Sequence, residues 1–360
     1  MKSFCVLNSR LSAAAGESIG KAAVKVLGRK IGVFSREKNP CVKSIARGIK
    51  KAGGCAVAFE NCFESQLCFA ALHFDLDGMF FVGNNNLISV YNSSANAVTA
   101  LQEDELSQLA AQNSLPDERG GEIISATLDD VYYKSLMNFS HSFENINVNI
   151  KCSDSSVAAV LKRVLYALGG SEGGKITFSL SSSGLVLSAV DETGRIHSHS
   201  VLYDACAACE VESGKDIEVP FFSSSQLEKI SEKSGAKIIR SFAGGNEIWQ
   251  KDAVFLAARL MYHMAKCGCG LATLCNKLPA TSVRRKNFSS SFTLSDIADV
   301  IECEEVVTDI NGGVFAKSKQ GNMLVTACSR AGKYCLEVQA ADVETAQELA
   351  AVFTKAVCLT

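Results

Sequence analysis

Residues 55–86 read CAVAFENCFESQLCFAALHFDLDGMFFVGNNN. The stretch opens on a short apolar run and closes on a second, MFFV, which a glycine and three asparagines stop. Neither run alternates apolar with polar residues, as a strand with one wet face would. CAVAF and GMFFV therefore read as strands covered on both faces, with SQLCFAALHFD as the helix between them. This order predicts a parallel sheet between helix layers. In such sheets ligands gather at the C-terminal ends of the strands. Gly83 and Asn84–Asn86 stand at such an end.

The pattern extends in both directions. Residues 10–30 predict a helix with Ile19, Ala22, Ala23, Val26 and Leu27 on one face. KIGVF is a strand, SREKNP a loop, and VKSIARGIKKAG a helix stopped at Gly53–Gly54. After Gln112 the stretch NSLPDERGGE reads as a linker. A second unit follows: the strand INVNIKC, the helix SSVAAVLKRVLYALGG, the strand KITFSL, a hairpin about the E-T-G turn of AVDETGRIHSHSVL, and the helix YDACAACEVES. A third unit holds IEVPF, SSQLEKISEKSG, AKIIRSF and the long helix KDAVFLAARLMYHMAKCG. A basic stretch, PATSVRRKNFSS, leads to a fourth unit of several strands and a closing helix, DVETAQELAAVFTKAV.

The chain has 360 residues, enough for two to four domains. With 47% hydrophobic and 21% charged residues it has the composition of a globular protein. The formal charge of −2 offers no basic field, so neither nucleic acid nor a membrane surface is an expected partner. No apolar run approaches the roughly 20 residues that span a bilayer. No secretory leader is read at the N-terminus. The 15 cysteines are odd in number and lie in apolar contexts, which predicts reduced core thiols and a cytoplasmic location. Cys206 and Cys209 form a single C-x-x-C, and Cys267, Cys269 and Cys275 lie close in sequence. Neither group has the second half that a four-ligand zinc site needs. No P-loop, G-x-S-x-G elbow or H-E-x-x-H is present.

The order of elements resembles the α-D-phosphohexomutase superfamily of phosphoglucomutases, phosphomannomutases and phosphoglucosamine mutases. The stretch 39–83 is similar to its first domain and KITFSL…AVDETGRIHSHSVLYDACAA to its second. KDAVFLAARLMYHMAKCGCGLATLCNKLP is similar to the end of the third, and GNMLVTACSRAGKYCLEVQAADVETAQELAAVF to the fourth. The resemblance implies an α/β protein of four domains, over 1–115, 122–213, 215–284 and 288–360. Three would hold mixed, mostly parallel sheets, and the fourth a smaller α+β unit. It also implies a cleft where four loops meet: a phosphoserine loop, an aspartate loop holding Mg²⁺, a sugar-reading loop and a phosphate clamp.

Each loop departs from that pattern. Asn84 stands at the phosphoserine position and Asn85 beside it, and a carboxamide cannot take up and return a phosphoryl group. Ser179, Ser181 and Ser183 stand where the metal-binding carboxylates belong, and Gly184 replaces an arginine. Three neutral hydroxyls hold a hard dication poorly. The sugar-reading loop is shortened, with Glu247 as its remnant. In the fourth loop Thr326 and Ala331 replace an arginine and a glutamate. Arg36, Lys38, Ser329, Arg330 and Lys333 are the candidates for residual phosphate binding.

The expectation is therefore a phosphohexomutase-like protein that has lost catalysis. It would bind or regulate, with a hexose phosphate or a protein (an active relative, for instance) as partner, and no cofactor is expected. The alternative is an active sugar-phosphate mutase with displaced residues, Ser89 or Ser93 serving as nucleophile and Mg²⁺ retained. Plain readings stand beside these. GNNN is an ordinary turn, since Gly and Asn accept left-handed conformations. SLSSSG is a solvated loop, VRRKNF (Arg284, Arg285, Lys286) a solvated interdomain segment, and His197 and His199 are surface residues. Trp249 is expected to pack in the shortened third loop.

Overall fold

The runs at 30–35, 55–59 and 78–82 form the strands that their patterns predict. The computed structural model describes residues 13–83, 87–112, 115–224, 226–242, 244–278, 281–301, 303–309, 313–328 and 332–358. These residues fall into two units, one running up to Tyr203 with Asn246–Leu274 added, the other formed by Asp204–Gly245 and the chain from Cys275 on.

In the first unit, α1 (Ala13–Val26), β1 (Lys30–Ser35), α2 (Pro40–Lys51), β2 (Cys55–Phe59), α3 (Gln66–Phe74) and β3 (Gly78–Val82) alternate. They are followed by β4 (Ile88–Asn92), α4 (Ala100–Gln112), β5 (Glu122–Ala126) and α5 (Asp129–Leu136). The sheet order is β4-β3-β1-β2-β5, with β4 antiparallel and the rest parallel. β3 is buried along its whole length. The core joins Ile31 and Val33 of β1 and Phe80 and Val82 of β3 to Ile19 of α1 and Ile45 and Ile49 of α2. Glycines let α1 and α2 touch backbone to backbone: a Cβ on Gly48 would lie 2.1 Å from the Glu17 carbonyl oxygen, and one on Gly20 2.2 Å from that of Ile45. Asn39 starts α2 by accepting from Cys41 N at 2.8 Å, with Pro40 as the first helical residue.

A second sheet in this unit uses β6 (Asn147–Cys152), β7 (Ser171–Glu172), β8 (Ile176–Leu180), β9 (Leu187–Val190) and β10 (Ile196–His197), with α6 (Ser155–Ala167) between β6 and β7. Its order is β10-β9-β8-β6-β7, parallel at β7-β6-β8 and antiparallel beyond. The division between the units falls within α7 (His199–Glu212).

The second unit contains β11 (Ile217–Pro220), α8 (Gln226–Ser234) and β12 (Ile238–Ser241), whose two strands pair in parallel. The helices α9 (Ile248–Lys251), α10 (Ala253–Cys267) and α11 (Leu271–Cys275) come next, nearly all of them in the first unit. The chain then runs through β13 (Ser282–Ser289), α12 (Leu294–Val300), β14 (Glu305–Asp309), β15 (Gly313–Lys317), β16 (Gly321–Ala327), β17 (Lys333–Ala340) and α13 (Val343–Cys358). These strands form an antiparallel sheet in the order β13-β17-β16-β15-β14, and Val314, Val325, Leu336 and Val338 pack with Ile297, Ala346, Ala350 and Phe353 of α12 and α13.

Ser89, the alternative nucleophile, lies inside β4, opposite Phe81. Two segments differ from expectation. The residues after the expected linker form β5 and α5. VRRKNF is strand β13, paired along its length with β17, and its basic side chains are exposed on that edge strand. No helix among the described residues is long and apolar enough to cross a membrane.

Candidate functional site

The loops that follow β1, β2 and β3 leave the C-terminal ends of parallel strands, where a ligand site is expected. Asn84, Asn85 and Asn86 lie outside the described residues. After β1, Arg36 does not point to solvent. Its guanidinium pairs with the carboxylate of Asp154, the residue that caps α6, and donates to the Ser182 carbonyl oxygen at 2.8 Å. Both contacts are made by one nitrogen, Nη2, and the Asp154 carboxylate offsets the positive charge that a phosphate would need. Lys38 is exposed.

Arg36 thus meets the turn that joins β8 to β9. Ser179 lies within β8, opposite Ser188, so it is a strand residue and not a loop ligand. Ser181 and Ser183 hydrogen-bond each other at 3.0 Å, and Ser181 Oγ also accepts from Val186 N at 3.1 Å. The turn is pinned from both sides: Ser65 N donates to Ser183 O at 3.0 Å and Ala253 N to Gly184 O at 2.9 Å. Gly184 has φ +74°, and a Cβ there would lie 2.5 Å from the Ser65 hydroxyl. Glycine at this place is a packing requirement. The hydroxyls are neutral and already engaged in the turn, and so do not make the anionic octahedral shell that Mg²⁺ requires.

Glu247 also serves its own element. Its backbone N–H donates to the Gln250 side chain at 3.0 Å, and its carboxylate accepts the Trp249 indole N–H at 3.1 Å. Trp249 is buried against Tyr203, ring centroids 5.2 Å apart. One turn on, Asp252 caps α10 through Val254 N at 2.8 Å and accepts the Tyr132 phenol at 2.6 Å. Burial pushes the Asp252 carboxyl up to about 6, against the pull of the Tyr132 hydroxyl and the helix amides.

Of the fourth-loop candidates, Ser329 and Arg330, with Ala331, lie outside the described residues. Lys333 opens β17, is exposed, and donates to Ser289 Oγ at 2.5 Å. Thr326 is inside β16, opposite Cys335.

Two groupings escaped the sequence reading. Tyr91 on β4 donates to Glu64 at 2.5 Å and also interacts with the Ser89 hydroxyl. Burial, then Glu64, drive the Tyr91 phenol upward. Glu64 and Ser89 both lie against this phenol, and Ser93 is an exposed turn residue. Alternation along β4 was the available signal, since it places 89 and 91 on one face. The second grouping is Asp191 with His197, 2.7 Å apart and both buried. Asp191 also accepts from Thr193 and from Arg195 N, closing the E-T-G turn. His197 is a core residue, not a surface one. His199 opens α7, and its Nδ1 accepts from Leu187 N at 3.1 Å.

The thiols are mostly structural. Cys41, Cys62, Cys68, Cys206, Cys209, Cys275 and Cys335 are buried, and Cys267 is exposed. Burial pushes Cys62 and Cys68 up to about 12, far from thiolate reactivity.

No family model matches the sequence, and no curated protein matches it. Solved structures do match the fold. A phosphoglucomutase/phosphomannomutase family protein from Burkholderia thailandensis aligns over 98% of this chain and 94% of its own, with TM-score 0.72 and 14% identity. A putative phosphomannomutase from Thermus thermophilus aligns over 96% and 97%, with TM-score 0.63 and 12% identity. The Aspergillus fumigatus N-acetylphosphoglucosamine mutase, in complex with GlcNAc-6P and magnesium, aligns over 99% and 96%, with TM-score 0.52 and 9% identity. The chain therefore has the phosphohexomutase fold over nearly its whole length. The magnesium of the Aspergillus complex, in a protein of this fold, and the metal-ligating side chains present in this chain overturn the expectation that no cofactor goes with this chain. In this chain the serine turn at 181–184 does not fit that ion. Side chains of metal-ligating type do occur elsewhere, as with Cys206 and Glu210, buried one helical turn apart on α7.

Proposed function

We propose that this phosphohexomutase-fold chain no longer carries out phosphoryl transfer and acts as a binding or regulatory protein, with a hexose phosphate as its ligand class. The observation that carries the reading is the engagement of Arg36. Its charge is taken up by Asp154 and by the carbonyl of the very turn that replaces the metal loop. Phosphoryl transfer rests on placing a nucleophile and on neutralising charge in the transition state. Here an asparagine stands at the nucleophile position, the hydroxyls at 181 and 183 close a turn, and Glu247 holds a tryptophan. Arg36, Ser181, Ser183 and Glu247 each support the scaffold at the place where the resemblance puts the chemistry. The ligand class is supported by the GlcNAc-6P bound to the Aspergillus mutase of this fold. Buried thiols such as Cys62 and Cys68 suit a reducing compartment, and the cytoplasm is the proposed location.

Calorimetric titration with glucose, mannose and N-acetylglucosamine 6-phosphates, with and without Mg²⁺, tests the reading beside a turnover assay. Saturable binding without turnover is expected. Turnover would restore the enzyme, and absence of binding by all three would remove the hexose phosphate as ligand.

A further inference from the structure

The two edges of the first sheet are finished differently. At one edge, β4 is covered by its own chain: Asn92 N donates to Asn96 O at 2.9 Å, Val98 N to Val90 O at 3.2 Å, and Tyr91 bridges to Ala97. At the other edge, β5 pairs with β2 on one side, and no strand among the described residues pairs with its outer side. Edge strands are normally protected by lysine, proline, a bulge or a covering loop. EIISA has none of the first two, and its register with β2 is unbroken over five residues. Ile123 and Ile124 are 41% and 42% exposed on it.

The hydrogen-bond phase fixes what can add there. Glu122 N donates to Gly54 O, so Glu122, Ile124 and Ala126 turn their backbone groups toward β2. Ile123 and Ser125 turn theirs outward. An antiparallel partner must match outward residues with outward residues. A second copy does so about a two-fold axis at Ile124: Ile123 meets Ser125 of the other copy in two hydrogen-bonded pairs, and Ile124 meets its own equivalent. All five strand residues are then paired, and Glu122 lies opposite Ala126 with no like charges facing. The same axis brings Arg119, exposed before the strand, toward Asp129 and Asp130, exposed after it. A β-branched pair at the centre and opposite charges at the ends make the strand complementary to itself.

We infer that β5 is a self-association edge, through which two copies join their five-stranded sheets into one ten-stranded sheet centred on Ile124. This goes beyond the proposed ligand binding and does not depend on it. Light scattering on the full chain across a concentration series tests it. Wild type is expected to be a dimer. Ile124→Lys and Ile124→Glu are each expected to be monomers with unchanged circular dichroism and thermal midpoint, because the site is exposed. An equal mixture of the two is expected to regain the dimer, since lysine then faces glutamate. A wild type that stays monomeric throughout, an Ile124→Lys variant that stays dimeric, or a mixture that stays monomeric would each overturn the inference.

Discussion

Arg36 and Asp252 show how single groups at this site serve the scaffold. With the Arg36–Asp154 pair largely covered, Arg36→Ala should cost about 1–3 kcal/mol, seen in urea unfolding. Hexose phosphate affinity should stay the same, whereas a drop of about tenfold or more would return Arg36 to the ligand site. Asp252 has a sign that can be worked out. Its folded carboxyl titrates at about 6, above the unfolded value near 3.9, so the folded state holds the extra proton between those limits. Its contribution is complete below about 4 and is lost as pH rises to about 6. The stability of the wild type relative to Asp252→Asn should therefore fall across that window and level off above it, measured by denaturant titration at stepped pH. A difference that grew with pH would contradict the burial assignment. The sequence placed Arg36 just after a strand but did not disclose its partner: nothing local links Arg36 to Asp154, since that contact depends on two separate sheets.

Elements were legible where burial is two-sided. β1, β2 and β3 were readable because covered strands cannot alternate, and α2 because its caps lie in sequence. The edge strands were not. β5 is exposed along nearly all its length and β13 is rich in Arg and Lys, so pairing alone makes them strands, and pairing is tertiary. The helix pair α1–α2 gives a test at this scale. Alanine is the better helix former than glycine by about 1 kcal/mol. At Gly48 the new Cβ would press on the Glu17 backbone, so Gly48→Ala should lower stability by about 1–3 kcal/mol. The denaturation midpoint should fall with its slope unchanged. A stabilised variant would show that the helices can part freely. Gly184→Ala should likewise destabilise by about 1–3 kcal/mol, since it combines a left-handed backbone with contact on Ser65.

For the whole molecule, the fold class was readable because the strand–helix order is sustained across the chain, and solved structures of this fold align with it over nearly its whole length. The chemistry was readable only as substitutions, because a loop's function lies in what its side chains face. The exclusion of a cofactor went further than the residues allow: neutral serines disqualify one turn, not every donor in the chain. A coupled mutase assay tests the loss of phosphoryl transfer most directly. It uses protein free of host mutase, glucose, mannose and glucosamine 1-phosphates, Mg²⁺ and a bisphosphate activator, with Asn84→Ser beside the wild type. No turnover by either protein is predicted, since restoring one hydroxyl leaves the 181–184 turn and Arg36 engaged as they are. Turnover by the wild type, abolished on mutating Ser89 or Ser93, would contradict the loss and move the nucleophile to β4 or the turn that follows it.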